Sequence, residues 1–150
     1  MHQFDLKNKT AIITGGAQGF GLDIAKKFIS SGSKVFIWDI DEKELLKATK
    51  EINNSNLNYN IVDVSNFDQV QKTVSDIILN DKIDILINNA GITGPTAELW
   101  NYNIKDWNSI ININLHGTFY CCKSIVPHMM KNNYGRIVNI ASVAGKDGNA

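Results

Sequence analysis

The sequence predicts an α/β protein with a doubly wound parallel sheet of about five strands and helices on both of its faces. Two observations predict it. Short, nearly continuous apolar runs recur along the 150 residues, as expected for strands that are buried on both faces. Segments with helical spacing of apolar residues separate these runs from end to end. Strands joined by right-handed helical crossovers build this kind of sheet.

The first third of the chain supplies two strands and two helices. A strand is predicted over 10–14, and apolar residues at helical spacing follow over 20–29. Gly32 is a typical C-terminal stop for that helix. The second strand covers 34–39, and Asp41 can cap the helix after it.

The middle of the chain repeats this order. The third strand is predicted over 58–64, and either Ser65 or Asn66 can cap a helix whose apolar face lies within 67–78. The fourth strand is predicted over 83–89.

The last third supplies the longest helix and the fifth strand. After a loop that contains Gly94 and Pro95, a helix begins near Lys105 and carries an apolar stripe from Trp107 to Cys122. The fifth strand is predicted over 135–142 and ends at a serine.

Composition excludes several classes of function. Fifteen basic residues balance fifteen acidic ones, so nothing indicates binding to nucleic acid or to an anionic membrane. The first ten residues lack the apolar core of a secretory signal, and no apolar run is long enough to span a bilayer. Cys121 and Cys122 are interpreted as reduced thiols without metal-ligand spacing. We therefore expect a cytoplasmic protein without a metal site.

The stretch "TGGAQGFG", residues 14–21, lies directly between the first strand and the first helix. Glycines at 15, 19 and 21 let the main chain turn sharply and approach an anion closely. The N–H groups and the dipole of the helix start can then bind a pyrophosphate. A tight turn without a ligand is the alternative interpretation.

Asp39 ends the second strand. A carboxylate at that position can accept hydrogen bonds from both hydroxyls of an adenosine ribose, and it repels a 2′-phosphate. The glycine stretch contains no lysine or arginine to offset the repulsion, so NAD is favoured over NADP. The alternative is that Asp39, with Asp41 close behind it, only caps the next helix.

Five motifs in order give the chain a resemblance to the short-chain dehydrogenase/reductase family, whose domain is Rossmann-like. "TGGAQGFG" resembles that family's T-G-x-x-x-G-x-G, and "NNAG" at 88–91 resembles its N-N-A-G. "DV" at 63–64, the asparagine within "INLHGTF" and "GRIVNIAS" at 135–142 complete the series. Within the family, the chain is similar to 3-oxoacyl-carrier-protein reductases and to sugar or polyol dehydrogenases.

The resemblance implies a role for fourteen residues. It assigns the pyrophosphate to the glycine loop, the ribose to Asp39, the adenine to the 63–64 pair and one wall of the cleft to 89–91. The twelve residues expected to bind the cofactor are Gly15, Gln18, Gly19, Phe20, Gly21, Asp39, Ile40, Asp63, Val64, Asn89, Ala90 and Gly91. Ser142 is expected to hydrogen-bond the reacting carbonyl or hydroxyl, and Asn114 to help hold a water in a proton relay.

Both catalytic assignments have an alternative. Asn114 lies within an apolar helical stripe, so it can also be a core amide that is paired by a neighbouring strand. Ser142 can also be a turn hydroxyl that caps local backbone. Tyr134, His116 and His128 are interpreted as structural residues.

Family members of this type carry Tyr-x-x-x-Lys 12–14 residues after the serine, which would place that tyrosine near position 155. We therefore expect residues 1–150 to be one dinucleotide-binding domain that is truncated before the acid/base pair, with the fifth strand left as an unpaired apolar edge. The parent is expected to be a homo-oligomer that interconverts a small secondary alcohol and a ketone with NAD. The alternative is a non-catalytic module that binds NAD or a protein partner.

Overall fold

A single parallel sheet of five strands organises the protein. The structure is a computed structural model that describes residues 4–148. The strand order is β3-β2-β1-β4-β5, and every neighbouring pair is parallel. The strands are β1 (Thr10–Thr14), β2 (Lys34–Asp39), β3 (Leu57–Ile61), β4 (Ile85–Asn88) and β5 (Arg136–Asn139). This is the doubly wound, Rossmann-like architecture that the sequence predicts.

Helices connect the strands and cover the sheet. The α-helices are α1 (Gly19–Ser30), α2 (Glu42–Ile52), α3 (Phe67–Ile78), α4 (Ile104–Ile110), α5 (Thr118–Lys131) and α6 (Ala144–Asp147). A π-helical segment, Ile111–Gly117, joins α4 to α5 without a break, and a 3₁₀ turn covers Leu99–Asn101. The long predicted helix is thus three segments in series. Asn66, not Ser65, caps α3.

The two faces of the sheet carry separate cores, because successive strand residues point to opposite sides. Ile12, Trp38 and Leu86 face α3 and α5. Ile13 and Ile37 face α1 and α2 in the second cluster. The predicted burial of strands on both faces is confirmed for β1, whose five residues are all buried. It is wrong for β3 and β5, which lie at the edges of the sheet and carry exposed residues.

Three strands are shorter than predicted. The prediction for β3 ran to residue 64, whereas the strand ends at Ile61 and the chain turns within Asp63–Ser65. The predictions for β4 (83–89) and β5 (135–142) were also too long. The physical reason is that apolar runs report burial and not strand pairing: Ile83 is 1% exposed, yet it lies outside the β4 ladder.

The edge of the sheet at β5 exposes apolar side chains. All four β5 residues are exposed, among them Ile137 and Val138. Much of the predicted apolar stripe on the long helix is exposed as well, because Trp107, Leu115 and Phe119 are each more than half accessible. None of the helices in the described part of the chain is long and apolar enough to cross a membrane.

Candidate functional site

A crevice of about 470 Å³ opens where the carboxyl ends of the strands meet. Doubly wound sheets bind their ligands at this edge. Nine of the twelve residues predicted to bind the cofactor line it, and they come from four separate strand ends. These nine are Gly15, Gln18, Asp39, Ile40, Asp63, Val64, Asn89, Ala90 and Gly91.

The glycine loop requires glycine for two different reasons. Gly15 and Gly19 have φ angles of 60° and 53°, in the left-handed region that side chains disfavour. Gly21 lies against the loop itself, since a Cβ there would stand 2.1 Å from the Gly15 carbonyl oxygen. The loop therefore folds back tightly on the start of α1.

The start of α1 leaves main-chain donors available beside the crevice. Gln18 is the N-cap residue, and its side chain makes no capping hydrogen bond. The first turn of this twelve-residue helix contains no acidic residue. Its N–H groups and the positive end of the helix dipole can therefore bind an anion.

Gly19, Phe20 and Gly21, the remaining three predicted cofactor residues, do not line the crevice. Gly19 and Phe20 are exposed, and the Phe20 side chain is 80% accessible. Gly21 is buried under the loop. The structure thus places the start of α1 at the rim of the crevice.

Asn89 joins the glycine loop to the end of β4. Its Nδ2 donates to the carbonyl oxygens of Thr14 and Gly15, both at 3.0 Å. Thr14 Oγ1 in turn accepts from the main-chain N–H groups of Asn89 and Ala90, both at 3.0 Å. Because the Asn89 amide is engaged in these bonds, the residue shapes the crevice by holding the loop.

Two main-chain amides fix the Asp39 carboxylate at the end of β2. Its Oδ2 accepts from Ala17 N and its Oδ1 from Asp41 N, each at 3.2 Å. The alternative that Asp39 caps α2 is wrong, because Asp41 is the N-cap and accepts from Lys43 N and Glu44 N. Asp39 is therefore positioned at the crevice wall and not at the helix start.

Asp63 and Val64 form the adjoining wall. Asp63 Oδ1 accepts from Ser65 N at 2.9 Å and from Ser65 Oγ at 2.6 Å. Val64 is buried, and a Cβ on Gly117 would stand 2.8 Å from its Cγ2. The π-helical segment therefore packs closely against the residue that follows Asp63.

Asn114 clamps the loop that leaves β4. Its Oδ1 accepts from Ile92 N at 2.9 Å, and its Nδ2 donates to Ile92 O at 3.0 Å. The interpretation of Asn114 as a core amide paired by a strand is wrong, since the residue is exposed and its partner is a loop. The π-helical turn carries it to that loop beside Gly91.

Ser142 lies in the connection between β5 and α6, three residues beyond the strand end. Its hydroxyl accepts from Ala144 N at 3.2 Å, and the residue is exposed. It does not line the crevice. The structure thus shows the local capping contact that sequence analysis gave as the alternative for this residue.

The residues interpreted as structural are engaged in packing. His128 Nε2 accepts from Ile83 N at 3.2 Å, which ties α5 to the sheet. The Tyr134 ring lies between the Lys9 ammonium, at 3.7 Å from its centroid, and the Arg136 guanidinium, at 4.8 Å. The His116 ring lies beside the Tyr120 ring, with 6.0 Å between their centroids.

Several residues of the site were not predicted. Thr14 begins the glycine motif and was not predicted to have a role. A threonine that ends a buried strand beside glycines can, however, indicate a side chain that holds the loop. Asp41, Val62, Ser65, Ile92 and Ile113 also line the crevice. Three of the lining residues are aspartates and none of the described ones is basic, so the crevice has an acidic wall.

Comparison with known proteins gives the family. The model for short chain dehydrogenases matches residues 9–150. The chain belongs to the short-chain dehydrogenase/reductase family. It is 42% identical over 142 residues to the 2-dehydro-3-deoxy-L-rhamnonate dehydrogenase (NAD(+)) of Sphingomonas sp. strain SKA58, across 94% of the chain and 56% of that relative. The predicted resemblance to this family is confirmed.

Other family members agree with this assignment. The chain is 37% identical to the 3-oxoacyl-acyl-carrier-protein reductase of Chlamydia pneumoniae, across 97% of the chain and 59% of that enzyme. The closed form of a serine dehydrogenase complexed with NADP+ superposes with a TM-score of 0.89 at 30% identity, across 94% of the chain and 57% of that structure. The chain thus spans less than two thirds of each of these relatives.

Proposed function

We propose that this chain forms the cofactor-binding part of an NAD-dependent oxidoreductase that interconverts a secondary alcohol and a ketone. The observation that carries the proposal is the Asp39 carboxylate, held beside the glycine loop by Ala17 N and Asp41 N. A carboxylate so placed accepts hydrogen bonds from ribose hydroxyls and repels a 2′-phosphate. The crevice lining offers no basic side chain among the described residues to offset that repulsion.

The size and the lining of the crevice support a dinucleotide as its ligand. Its volume of about 470 Å³ is within the usual range for ligand sites. Gly15 permits close approach, and the start of α1 supplies donors for a pyrophosphate. Asp39 would hold the ribose, and Asp63 with Val64 would flank the adenine. A bound nicotinamide supplies or accepts hydride.

The remaining chemistry is assigned to Ser142 and Asn114. Ser142 Oγ accepts from Ala144 N, and the hydroxyl would still hydrogen-bond the reacting carbonyl or hydroxyl. Asn114 holds the loop at Ile92 and Gly91, and it would help hold a water in the proton relay. The name of the Sphingomonas relative specifies NAD(+), which supports the same cofactor for this chain.

Comparison of the wild type with one variant tests the catalytic assignment. In the gene product that contains this chain, Ser142→Ala is expected to lower NAD-dependent oxidation of secondary alcohols by about 10²-fold or more, within the range of removing one positioned catalytic group. NAD affinity should not change, because Ser142 does not line the crevice. Equal turnover with and without the hydroxyl would contradict this role.

A second candidate function is an NAD-binding module without turnover. One observation favours it: β5 exposes Ile137 and Val138 at the sheet edge. Calorimetry with NAD combined with sedimentation distinguishes the candidates. A module is expected to bind NAD and to form a stoichiometric assembly while both serine and alanine versions give no turnover.

A further inference from the structure

A side chain from α3 pairs with the free edge of β3 at the C-terminal end of the strand. β3 lies at one edge of the sheet, opposite β5. Val62 N donates to Asp39 O at 2.9 Å, which continues the pairing with β2 by one residue. The main-chain groups of Ile61 and Asp63 on either side point the other way, where no strand follows.

Gln69 pairs with both of these outward groups. Its Nε2 donates to Ile61 O at 3.1 Å, and its Oε1 accepts from Asp63 N at 2.9 Å. Only a primary amide presents a donor and an acceptor together at this spacing, since a carboxylate lacks the donor and an ammonium lacks the acceptor. Gln69 therefore replaces a neighbouring strand at the point where β3 ends.

The start of α3 fixes Gln69 in turn. Asn66 is the N-cap, and its Oδ1 accepts from Gln69 N at 3.1 Å. In a capping box the glutamine at this position would return to the main-chain N–H of the cap residue. Here that N–H donates to Asp63 O at 3.0 Å, so the glutamine reaches back to Asp63 instead.

The Asp63 carboxylate depends on this arrangement. Its main chain is held by Gln69 and Asn66, and its Oδ1 is held by Ser65 N and Ser65 Oγ. Within residues 4–148, no hydrogen bond engages its Oδ2. Asp63 also lines the crevice, so its carboxylate is a fixed acceptor at this wall.

We propose that Gln69 is a positioning residue that sets the base selectivity of the cofactor site through Asp63. The inference rests on the proposed function, because it requires the adenosine of NAD to lie at this wall. The exocyclic amine of adenine donates to a carboxylate, whereas hypoxanthine presents a carbonyl oxygen that a carboxylate repels. A rigidly held Asp63 therefore favours adenine over hypoxanthine.

Titration of two dinucleotides tests the inference. The affinities for NAD and for nicotinamide hypoxanthine dinucleotide are measured by calorimetry on the wild-type chain, Gln69→Met and Gln71→Met. Methionine keeps the length and the helix propensity of glutamine and removes both hydrogen bonds. Gln71 is exposed on the same helix and provides the matched control.

The ratio of the two affinities is the decisive quantity. The wild type and Gln71→Met are expected to favour NAD by about tenfold or more, as one charge-assisted hydrogen bond allows. Gln69→Met is expected to lower that ratio to about threefold or less. A merely structural role would lower stability and both affinities together and would leave the ratio unchanged.

A second variant separates the two bonds of Gln69. Gln69→Glu keeps an acceptor for Asp63 N, but it turns a second acceptor toward Ile61 O and adds a negative charge near Asp63, so its ratio is expected to lie between those of the wild type and Gln69→Met. The inference would be overturned if Gln69→Glu retained less selectivity than Gln69→Met, or if Gln69→Met left the affinity ratio unchanged. It would also be overturned if the wild type bound both dinucleotides equally well. A wild type that binds neither dinucleotide would instead overturn the proposed function.

Discussion

Thr14 and Asn89 bind each other through both main chain and side chain. The Asn89 N–H donates to Thr14 Oγ1 and the Asn89 Nδ2 donates to the Thr14 carbonyl, each at 3.0 Å. Thr14 ends β1 and Asn89 directly follows β4. These hydrogen bonds therefore hold the C-terminal ends of the two central strands together, and they fix the position at which the glycine loop begins.

Replacement of Thr14 tests the role of these hydrogen bonds. Thr14→Val keeps the shape of the side chain but leaves the N–H groups of Asn89 and Ala90 without their acceptor. We expect a loss of about 2 kcal/mol or more in the free energy of unfolding and a weaker affinity for NAD. Thr14→Ser keeps the hydroxyl and is the control. Equal stability in urea and equal NAD affinity in calorimetry for the two variants would argue against this role of Thr14.

Gly21 tests the close packing of the glycine loop. A Cβ at this position would stand 2.1 Å from the Gly15 carbonyl oxygen, so Gly21→Ala must displace main chain. We expect a loss of about 1–3 kcal/mol in the free energy of unfolding and a marked loss of NAD affinity. Thermal melts and NAD titration measure both quantities.

The control for Gly21→Ala makes the same chemical change elsewhere. Gly145 lies in α6, where a Cβ would have no neighbour within 4 Å. Gly145→Ala is expected to be neutral or to add up to about 1 kcal/mol of stability. Equal behaviour of the two alanine variants would show that the loop is not packed as described.

Asn114 tests the clamp on the loop that leaves β4. Asn114→Ala removes both hydrogen bonds to Ile92, so the segment 91–103 is expected to open more often. Hydrogen exchange at the Ile92 amide should accelerate by about tenfold, which corresponds to the loss of one to two net hydrogen bonds. Asn108→Ala, at an exposed position of α4, is the control and should leave this exchange rate unchanged.

The two cysteines are expected to differ in reactivity. Burial raises the pKa of the Cys121 thiol to about 12 from its ordinary value of 9.0, so it stays protonated near neutral pH. Iodoacetamide at pH 8 should therefore modify the half-buried Cys122 in the native protein and Cys121 only after unfolding. Mass spectrometry of the native, labelled chain checks this order; modification of Cys121 at the rate of Cys122 would refute it.

The same thiol contributes to the dependence of stability on pH. The pKa of this thiol is higher in the folded chain than in the unfolded chain. Its contribution to the free energy of unfolding is therefore fully present below pH 9.0 and is lost as the pH rises toward about 12, because the unfolded thiol is ionised over that range. Cys121→Ser is less informative because it buries a hydroxyl, so Cys121→Ala is the comparison for alkaline denaturation.

The sheet could be predicted because its signals are local. An apolar run followed by glycines marks the end of β1, and Asp41 and Asn66 cap α2 and α3 as residues of their type do. Strand ends were less predictable. Ile83 remains buried outside its ladder, so hydrophobicity alone cannot mark where pairing stops.

Site residues could be predicted where a particular backbone geometry or position favours one residue type. Gly15 and Asp39 follow from the need for positive φ and from the end of β2. Thr14 and Gln69 did not follow, because their roles are hydrogen bonds to main chain that is distant or six residues away. The spacing of the apolar stripe also gives no indication of the π-helical segment that brings Asn114 to Ile92.

Paired titration of NAD and NADP tests the central claim most directly. The wild-type chain and Asp39→Ala are compared by calorimetry with both dinucleotides. We predict that the wild type favours NAD by at least tenfold and that Asp39→Ala loses about 10–100-fold in NAD affinity, the value of a hydrogen bond to a charged group. NADP affinity should hold steady or rise in the variant. Equal or tighter binding of NADP by the wild type, or an Asp39→Ala chain that binds NAD unchanged, would contradict the account.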